Sequence, residues 1–112
     1  QVSRLQFTIA DSHSFVYRSY AAAGITYLNG MDAASEAECL VNKGMTVSYG
    51  ELQPGDLIFY SYSANGKYRN ISHVAIYLGN GEMVHATDES RGVCKQAMSQ
   101  SNLSPQLYCR PQ

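Results

Sequence analysis

The chain has 112 residues, a length that favours one domain built around one core. Its formal net charge of −1, without a basic block, argues against nucleic acid or an anionic membrane as a partner. Its apolar runs, such as residues 74–78, are too short to span a bilayer. Gln1 opens without a methionine or a signal peptide, so we expect residues 1–112 to be a single monomeric domain excised from a longer protein.

Two helices are predicted in the first half of the chain. Asp11 is a suitable N-cap, and a helix is predicted over residues 12–23, with Gly24 as its stop. A second helix is predicted over residues 33–42 and ends at Gly44. The buried face of the first helix is expected to consist of Phe15, Val16, Ser19, Tyr20 and Ala23.

From Val47 onward the pattern is typical of strands and turns. The predicted strands cover residues 57–60, 72–78, 83–86, 92–95 and 107–110. Helices followed by antiparallel strands indicate an α+β fold. Cys94 and Cys109 fall in the last two strands, where they are either a disulfide pair, if those strands are neighbours, or isolated buried residues. Cys39, in the second helix, is expected to pack in the core.

Two histidines flank the hairpin signal Gly-Asn-Gly at residues 79–81. A two-residue loop would direct His73 and His85 to opposite faces of the sheet, because side chains alternate along a strand. A three-residue loop pairs Ala75 with His85 and makes the histidines diagonal neighbours on one face. We predict the three-residue loop, with Gly81 in the left-handed conformation that ends it.

Such a histidine pair is suited to nucleophilic catalysis. One imidazole takes the proton of the nucleophile, and the second group fixes the ring and tautomer of the first. A helix N-terminus, such as the one predicted at Ser12, stabilises a nucleophilic anion and offers backbone N–H groups to an oxyanion.

Four motifs, in this order and spacing, resemble the NlpC/P60 family of cell-wall peptidases. They are Asp-Ser-His-Ser-Phe-Val at residues 11–16, Leu-Gln-Pro-Gly-Asp-Leu-Ile-Phe at 52–59, His-Val-Ala-Ile-Tyr-Leu-Gly-Asn-Gly at 73–81 and Val-His-Ala at 84–86. The resemblance covers roughly residues 11 to 90. It implies a papain-like α+β fold in which a nucleophile-bearing N-terminal helix packs on an antiparallel sheet.

The resemblance also implies function and residue roles. The family hydrolyses stem-peptide amide bonds of bacterial peptidoglycan, of the γ-D-glutamyl–diamino acid type, and needs no cofactor or metal. His73 matches the general base, His85 matches the orienting group, and Ser12 stands where the family has its catalytic cysteine. A secreted or envelope-associated location follows from that substrate.

Serine at position 12 has two interpretations. It is either an active nucleophile or part of a site without turnover, arising from natural loss or an introduced Cys-to-Ser change. A site without turnover would leave a peptidoglycan-binding domain. A related acyl-transfer enzyme on the same fold is a third alternative.

Other polar residues near the motifs have competing interpretations. Asp11, His13 and Tyr77 are candidate substrate-binding residues, with Tyr77 on the same strand face as His73. For His13, an exposed position or a three-histidine metal site are the alternatives, and we predict no metal. Asp56, after Pro-Gly, is expected to have a structural turn role.

Overall fold

The computed structural model describes residues 12–86 and 93–112, with residues 12 and 13 described by their backbone alone. Two helices precede five strands, which confirms the α+β prediction. Neither helix within these ranges is long and apolar enough to cross a membrane. The elements are α1 (Ser12–Ala22), α2 (Ala33–Asn42), β1 (Leu57–Tyr60), β2 (His73–Gly79), β3 (Glu82–Ala86), β4 (Val93–Ala97) and β5 (Pro105–Cys109).

Both helices end at the glycines that the sequence predicts. Gly24 has φ +94°, and the N–H of Ile25 reaches back to the carbonyl of Tyr20 at 2.9 Å. Gly44 has φ +72°, and the equivalent hydrogen bond runs from the N–H of Met45 to the carbonyl of Leu40 at 2.9 Å. These are Schellman endings, which require the left-handed conformation that glycine adopts at little cost.

The start of α2 depends on a cap that the sequence analysis did not assign. Asp32 accepts a hydrogen bond from the backbone N–H of Ser35 at 2.8 Å and pairs with the ammonium of Lys67 at 2.9 Å. The Ser35 N–H and Lys67 together lower the pKa of Asp32 to about 2. The predicted N-cap of α1, Asp11, lies outside the described residues.

The five strands form one antiparallel sheet in the order β4-β3-β2-β1-β5. One sheet face carries the main core, to which α1 contributes the fully buried Phe15 and Val16, with Ser19 and Tyr20 also buried as predicted. The sheet contributes Leu57, Phe59, Val74, Ile76, Val84, Ala86, Leu107 and Cys109 to this core. The opposite face holds a smaller apolar cluster of Ile58, Tyr60, Ala75 and Met83.

The strand order excludes a Cys94–Cys109 disulfide. These residues lie in β4 and β5, the two outermost strands, with three strands between them. A disulfide needs Cα atoms within roughly 7 Å, so the disulfide alternative for Cys94 and Cys109 is excluded. The last two strands are not neighbours because β5 returns to pair with β1 instead of β4.

Candidate active site

His73 and His85 meet on the sheet face opposite the helices. His73 opens β2, and His85 lies near the end of β3. The register pairs Ile76 with Val84, which makes Ala75 and His85 the next pair along. The predicted register is therefore confirmed, and both imidazoles lie on one face.

The turn that produces this register differs from the predicted three-residue loop. Gly79 pairs with Glu82, so the loop contains only Asn80 and Gly81, both with positive φ (53° and 76°). That is the conformation of a tight type I′ hairpin. A bulge between Tyr77 and Gly79 restores the register that the shorter loop would otherwise lose. Our prediction of the loop was wrong because it omitted the bulge.

The two imidazoles are in direct contact. His73 Nε2 lies 2.8 Å from His85 Nδ1, and the rings meet edge to face with centroids 5.0 Å apart. Their exposed fractions are only 5% and 8%. A ring held by a short hydrogen bond in a buried setting has one orientation, as a general base requires.

A third side chain, from β4, continues this contact. Gln96 Oε1 lies 3.0 Å from His85 Nε2, and Gln96 Nε2 donates to the carbonyl of Gln100 at 3.2 Å. Sequence reasoning missed Gln96 because it ended the strand at residue 95 and β4 runs to Ala97. The register pairs His85 with Cys94, so alternation places Gln96 on the histidine face.

Two tyrosines enclose the other side of His73. The ring of Tyr60 lies 6.0 Å from the imidazole, centroid to centroid, and the ring of Tyr62 lies 5.9 Å away with a 30° interplanar angle. Tyr60 is buried and donates its hydroxyl proton to the Met83 sulfur, whereas Tyr62 is 60% exposed. The ring of Tyr62 therefore lies between His73 and solvent.

This enclosure keeps both histidines neutral at ordinary pH. Burial, with a smaller contribution from His85, lowers the pKa of His73 from 6.5 to about 4. Burial also lowers the pKa of His85, opposed in part by its hydrogen bond to Gln96. A neutral imidazole has one unprotonated ring nitrogen, the form able to accept a proton.

The predicted nucleophile stands at the first residue of α1. Ser12 begins the helix, and α1 packs against β2 and β3, the strands that carry the histidines. The side chains of Ser12 and His13, and all of Asp11, lie outside the described residues. Their roles as nucleophile and substrate-binding residues stay predictions.

Tyr77 has a structural contact of its own. Its hydroxyl accepts the backbone N–H of Gly81 at 3.1 Å, and its ring packs on the cluster of Ile58 and Ala75. The hydroxyl therefore supports the hairpin that positions the histidines. A contact between Tyr77 and substrate stays a prediction.

Asp56 has the structural role that the sequence predicts. It is buried, accepts the backbone N–H of Gln53 at 2.8 Å and forms a two-pronged ion pair with Arg110, at 2.9 Å for each contact. The Asp56 carboxylate raises the pKa of Arg110. The ion pair joins the turn before β1 to the end of β5.

Cys39 and Cys109 are poorly placed to act as nucleophiles in this site. Cys39 packs against the main core from α2, on the helix side of the sheet. Cys109 is fully buried in the same core, and burial raises the pKa of its thiol to about 12. A thiol that resists ionisation is a weak nucleophile.

The histidine pair offers little to a metal ion. Within the described ranges no group of three metal-ligating side chains is present. Both nitrogens of His85 already have partners, in His73 and Gln96. The three-histidine alternative also needs His13, whose side chain lies outside the described residues.

Comparison with known proteins identifies the family. The NlpC/P60 family model matches residues 4–110. The chain belongs to the NlpC/P60 family. The peptidoglycan DL-endopeptidase CwlO of Bacillus licheniformis is 42% identical over 90 residues, which cover 80% of this chain and 18% of that protein.

Two further similar proteins are named for different functions. The γ-D-glutamyl-L-lysine dipeptidyl-peptidase of Bacillus cereus is 34% identical over 83 residues, covering 74% of this chain and 22% of that protein. RipD of Mycobacterium tuberculosis, a non-catalytic NlpC/P60 domain protein adapted to peptidoglycan binding, superposes with a TM-score of 0.67 at 23% identity. That match covers 90% of this chain and 66% of RipD, and it shows the shared fold.

This NlpC/P60 domain spans only 18% and 22% of the two peptidases compared above. The match to the family model confirms the NlpC/P60 membership expected from the motifs. The superposition on RipD confirms the expected papain-like α+β fold.

Proposed function

We propose that this NlpC/P60 domain is a peptidoglycan endopeptidase in which Ser12 replaces the catalytic cysteine and severely limits turnover. The substrate is the stem peptide, cleaved at an amide bond between D-glutamate and a diamino acid. The observation that carries the proposal is the buried His73–His85 contact of 2.8 Å on β2 and β3, the strands against which the helix that begins at Ser12 packs. The names of the two peptidase relatives support the substrate class.

The catalytic sequence assigns a role to each residue. The nucleophile at position 12 attacks the amide carbonyl and transfers its proton to neutral His73. His73 then protonates the departing amine as the amide bond breaks and an acyl-enzyme remains. Water attacks the acyl-enzyme and gives a proton to His73, and His73 returns that proton to the nucleophile as the acyl bond breaks and the carboxylic acid leaves. His85 keeps the His73 ring in place throughout.

Serine weakens the first of these steps. A free cysteine has a pKa near 8.5, so a thiolate forms readily beside a histidine and a helix N-terminus. A serine hydroxyl must lose its proton during attack to a base whose pKa burial has lowered to about 4. Such a weak base accepts the proton of an alcohol reluctantly. We therefore expect cleavage by Ser12 to be slow or undetectable.

The test is release of stem peptides from purified peptidoglycan. The chain is compared with Ser12→Cys, Ser12→Cys/His73→Ala and the control Ser104→Cys, which adds an exposed thiol near β5, at the opposite sheet edge from β4. Cleavage is expected only from Ser12→Cys, with its loss in the double variant. Cleavage by Ser104→Cys would show that a thiol anywhere suffices.

The similarity to RipD favours one second candidate, a peptidoglycan-binding domain without turnover. Sedimentation with insoluble peptidoglycan measures that binding directly. If Ser12→Cys binds the wall and fails to cleave it, the binding function replaces the peptidase and the catalytic roles of His73 and His85 are withdrawn. We also propose that the protein is bacterial and exported to the cell envelope, where this polymer lies.

A further inference from the structure

Gln96 of β4 contacts the histidine pair from the neighbouring strand. Its side chain lies on the histidine face of β4 and makes two contacts, one to His85 Nε2 at 3.0 Å and one to the carbonyl of Gln100 at 3.2 Å. The second contact fixes the amide, because only the NH₂ group can donate to a carbonyl. A flipped amide would bring two oxygens together at Gln100, so Oε1 must face His85.

The tautomers follow from this orientation. An amide oxygen only accepts, so His85 Nε2 must carry a hydrogen. Because His85 is neutral, its Nδ1 is then unprotonated and accepts the 2.8 Å hydrogen bond from His73 Nε2. Neutral His73 with hydrogen on Nε2 has a free lone pair on Nδ1, for which the described residues provide no hydrogen-bond donor.

We propose that Gln96 is a positioning residue that sets this chain of hydrogen bonds in one direction and so presents His73 Nδ1 as the base. The proposal deepens the function proposed above and rests on it. Without the acceptor at Gln96, the hydrogen bond between the histidines can reverse. The reversed chain puts the hydrogen on His73 Nδ1, and a protonated nitrogen cannot receive a proton from the nucleophile.

Three substitutions at Gln96 separate this role from simple packing. Gln96→Glu keeps the acceptor for His85 but loses the donor to Gln100, Gln96→Leu removes the acceptor, and Gln96→Lys substitutes a group that only donates. The matched control is Gln106→Leu, which removes an exposed β5 glutamine whose amide likewise donates to a backbone carbonyl, that of Ser104 at 3.0 Å. Circular dichroism verifies that each variant folds.

The first readout is heteronuclear NMR of the imidazole nitrogens, recorded on the chain with Ser12 in place. We expect hydrogen on Nε2 of both His73 and His85 in the parent, in Gln96→Glu and in Gln106→Leu. Gln96→Leu should show a mixture of tautomers, and Gln96→Lys should move the hydrogens to Nδ1. An unchanged tautomer pattern in Gln96→Leu and Gln96→Lys would overturn the proposal.

The second readout is peptidoglycan cleavage in the Ser12→Cys background. Removal of one hydrogen bond should lower kcat/KM by about fivefold to tenfold in Gln96→Leu. The loss should fall on kcat and not on KM, and Gln96→Glu and Gln106→Leu should retain activity. Equal activity of Gln96→Leu and the parent would contradict the positioning role. If Ser12→Cys itself fails to cleave, the proposed peptidase function is lost, and the NMR result still decides whether Gln96 sets the tautomers.

Discussion

Lowering the pH from about 7 to about 5 should destabilise the fold by about 2 kcal/mol through His73 alone. In the folded state burial lowers its pKa to about 4, whereas the unfolded imidazole keeps the ordinary value of 6.5. Between these values the unfolded state binds more protons, so stability is present above the unfolded pKa and is lost as pH falls toward the folded one. The full difference between the unfolded and folded pKa values of His73 corresponds to about 3 kcal/mol of stability. His85 adds a loss of the same sign, because burial lowers its pKa too.

The assay is urea unfolding followed by circular dichroism at several pH values, since the chain has no tryptophan. Between about pH 7 and pH 5, the free energy of unfolding should decrease by about 2 kcal/mol less in His73→Gln than in the parent. The comparison uses the pH dependence and not the absolute stability, so the packing cost of the substitution cancels. Identical pH dependence in the two proteins, or an NMR titration of His73 near its ordinary pKa, would refute the reasoning.

Three further substitutions test the hairpin, the α2 cap and the covering of His73. Gly79→Ala should destabilise the fold by about 1–2 kcal/mol in urea unfolding, because φ is +101° and the new Cβ would lie 3.4 Å from Pro54 Cγ. Asp32→Ala should cost about 1 kcal/mol in the same assay through loss of the α2 cap. Tyr62→Ala should raise the pKa of His73, measured by NMR titration, because water then reaches the imidazole. The Tyr62 ring also favours the imidazolium, and losing it has the opposite but smaller effect on the pKa.

Each of these predictions has a matched control. Gly66→Ala also places alanine at positive φ, here +74°, but nothing lies within 4 Å of the new Cβ, so it should cost less than Gly79→Ala. Glu38→Ala removes an exposed carboxylate from the same helix as the Asp32 cap and should leave stability nearly unchanged. Tyr49→Ala removes a tyrosine that is 67% exposed and packs on Tyr108, and it should not affect the His73 titration. If a substitution and its control had equal effects, the contact that the substitution tests would be contradicted.

Sequence reasoning succeeded where the determining interactions are local. The bounds of α2, the glycine endings at Gly24 and Gly44, and the alternation along β2 depend on residues close together in the chain. The shared face of His73 and His85 also followed, although the wrong turn was chosen to reach it. A bulge changes the register without leaving a pattern in the side chains, so the loop length was ambiguous from the sequence.

The sequence by itself determined the α+β class, the family and the pairing of His73 with His85, because periodicity, capping and motif order are written along the chain. Only the tertiary structure decided that β5 crosses to the far edge of the sheet, that Tyr62 covers His73 and that Gln96 completes the hydrogen-bond chain. These depend on strand order and on diagonal contacts between strands. Such contacts are settled by packing the whole core at once, and no local stretch of sequence specifies them.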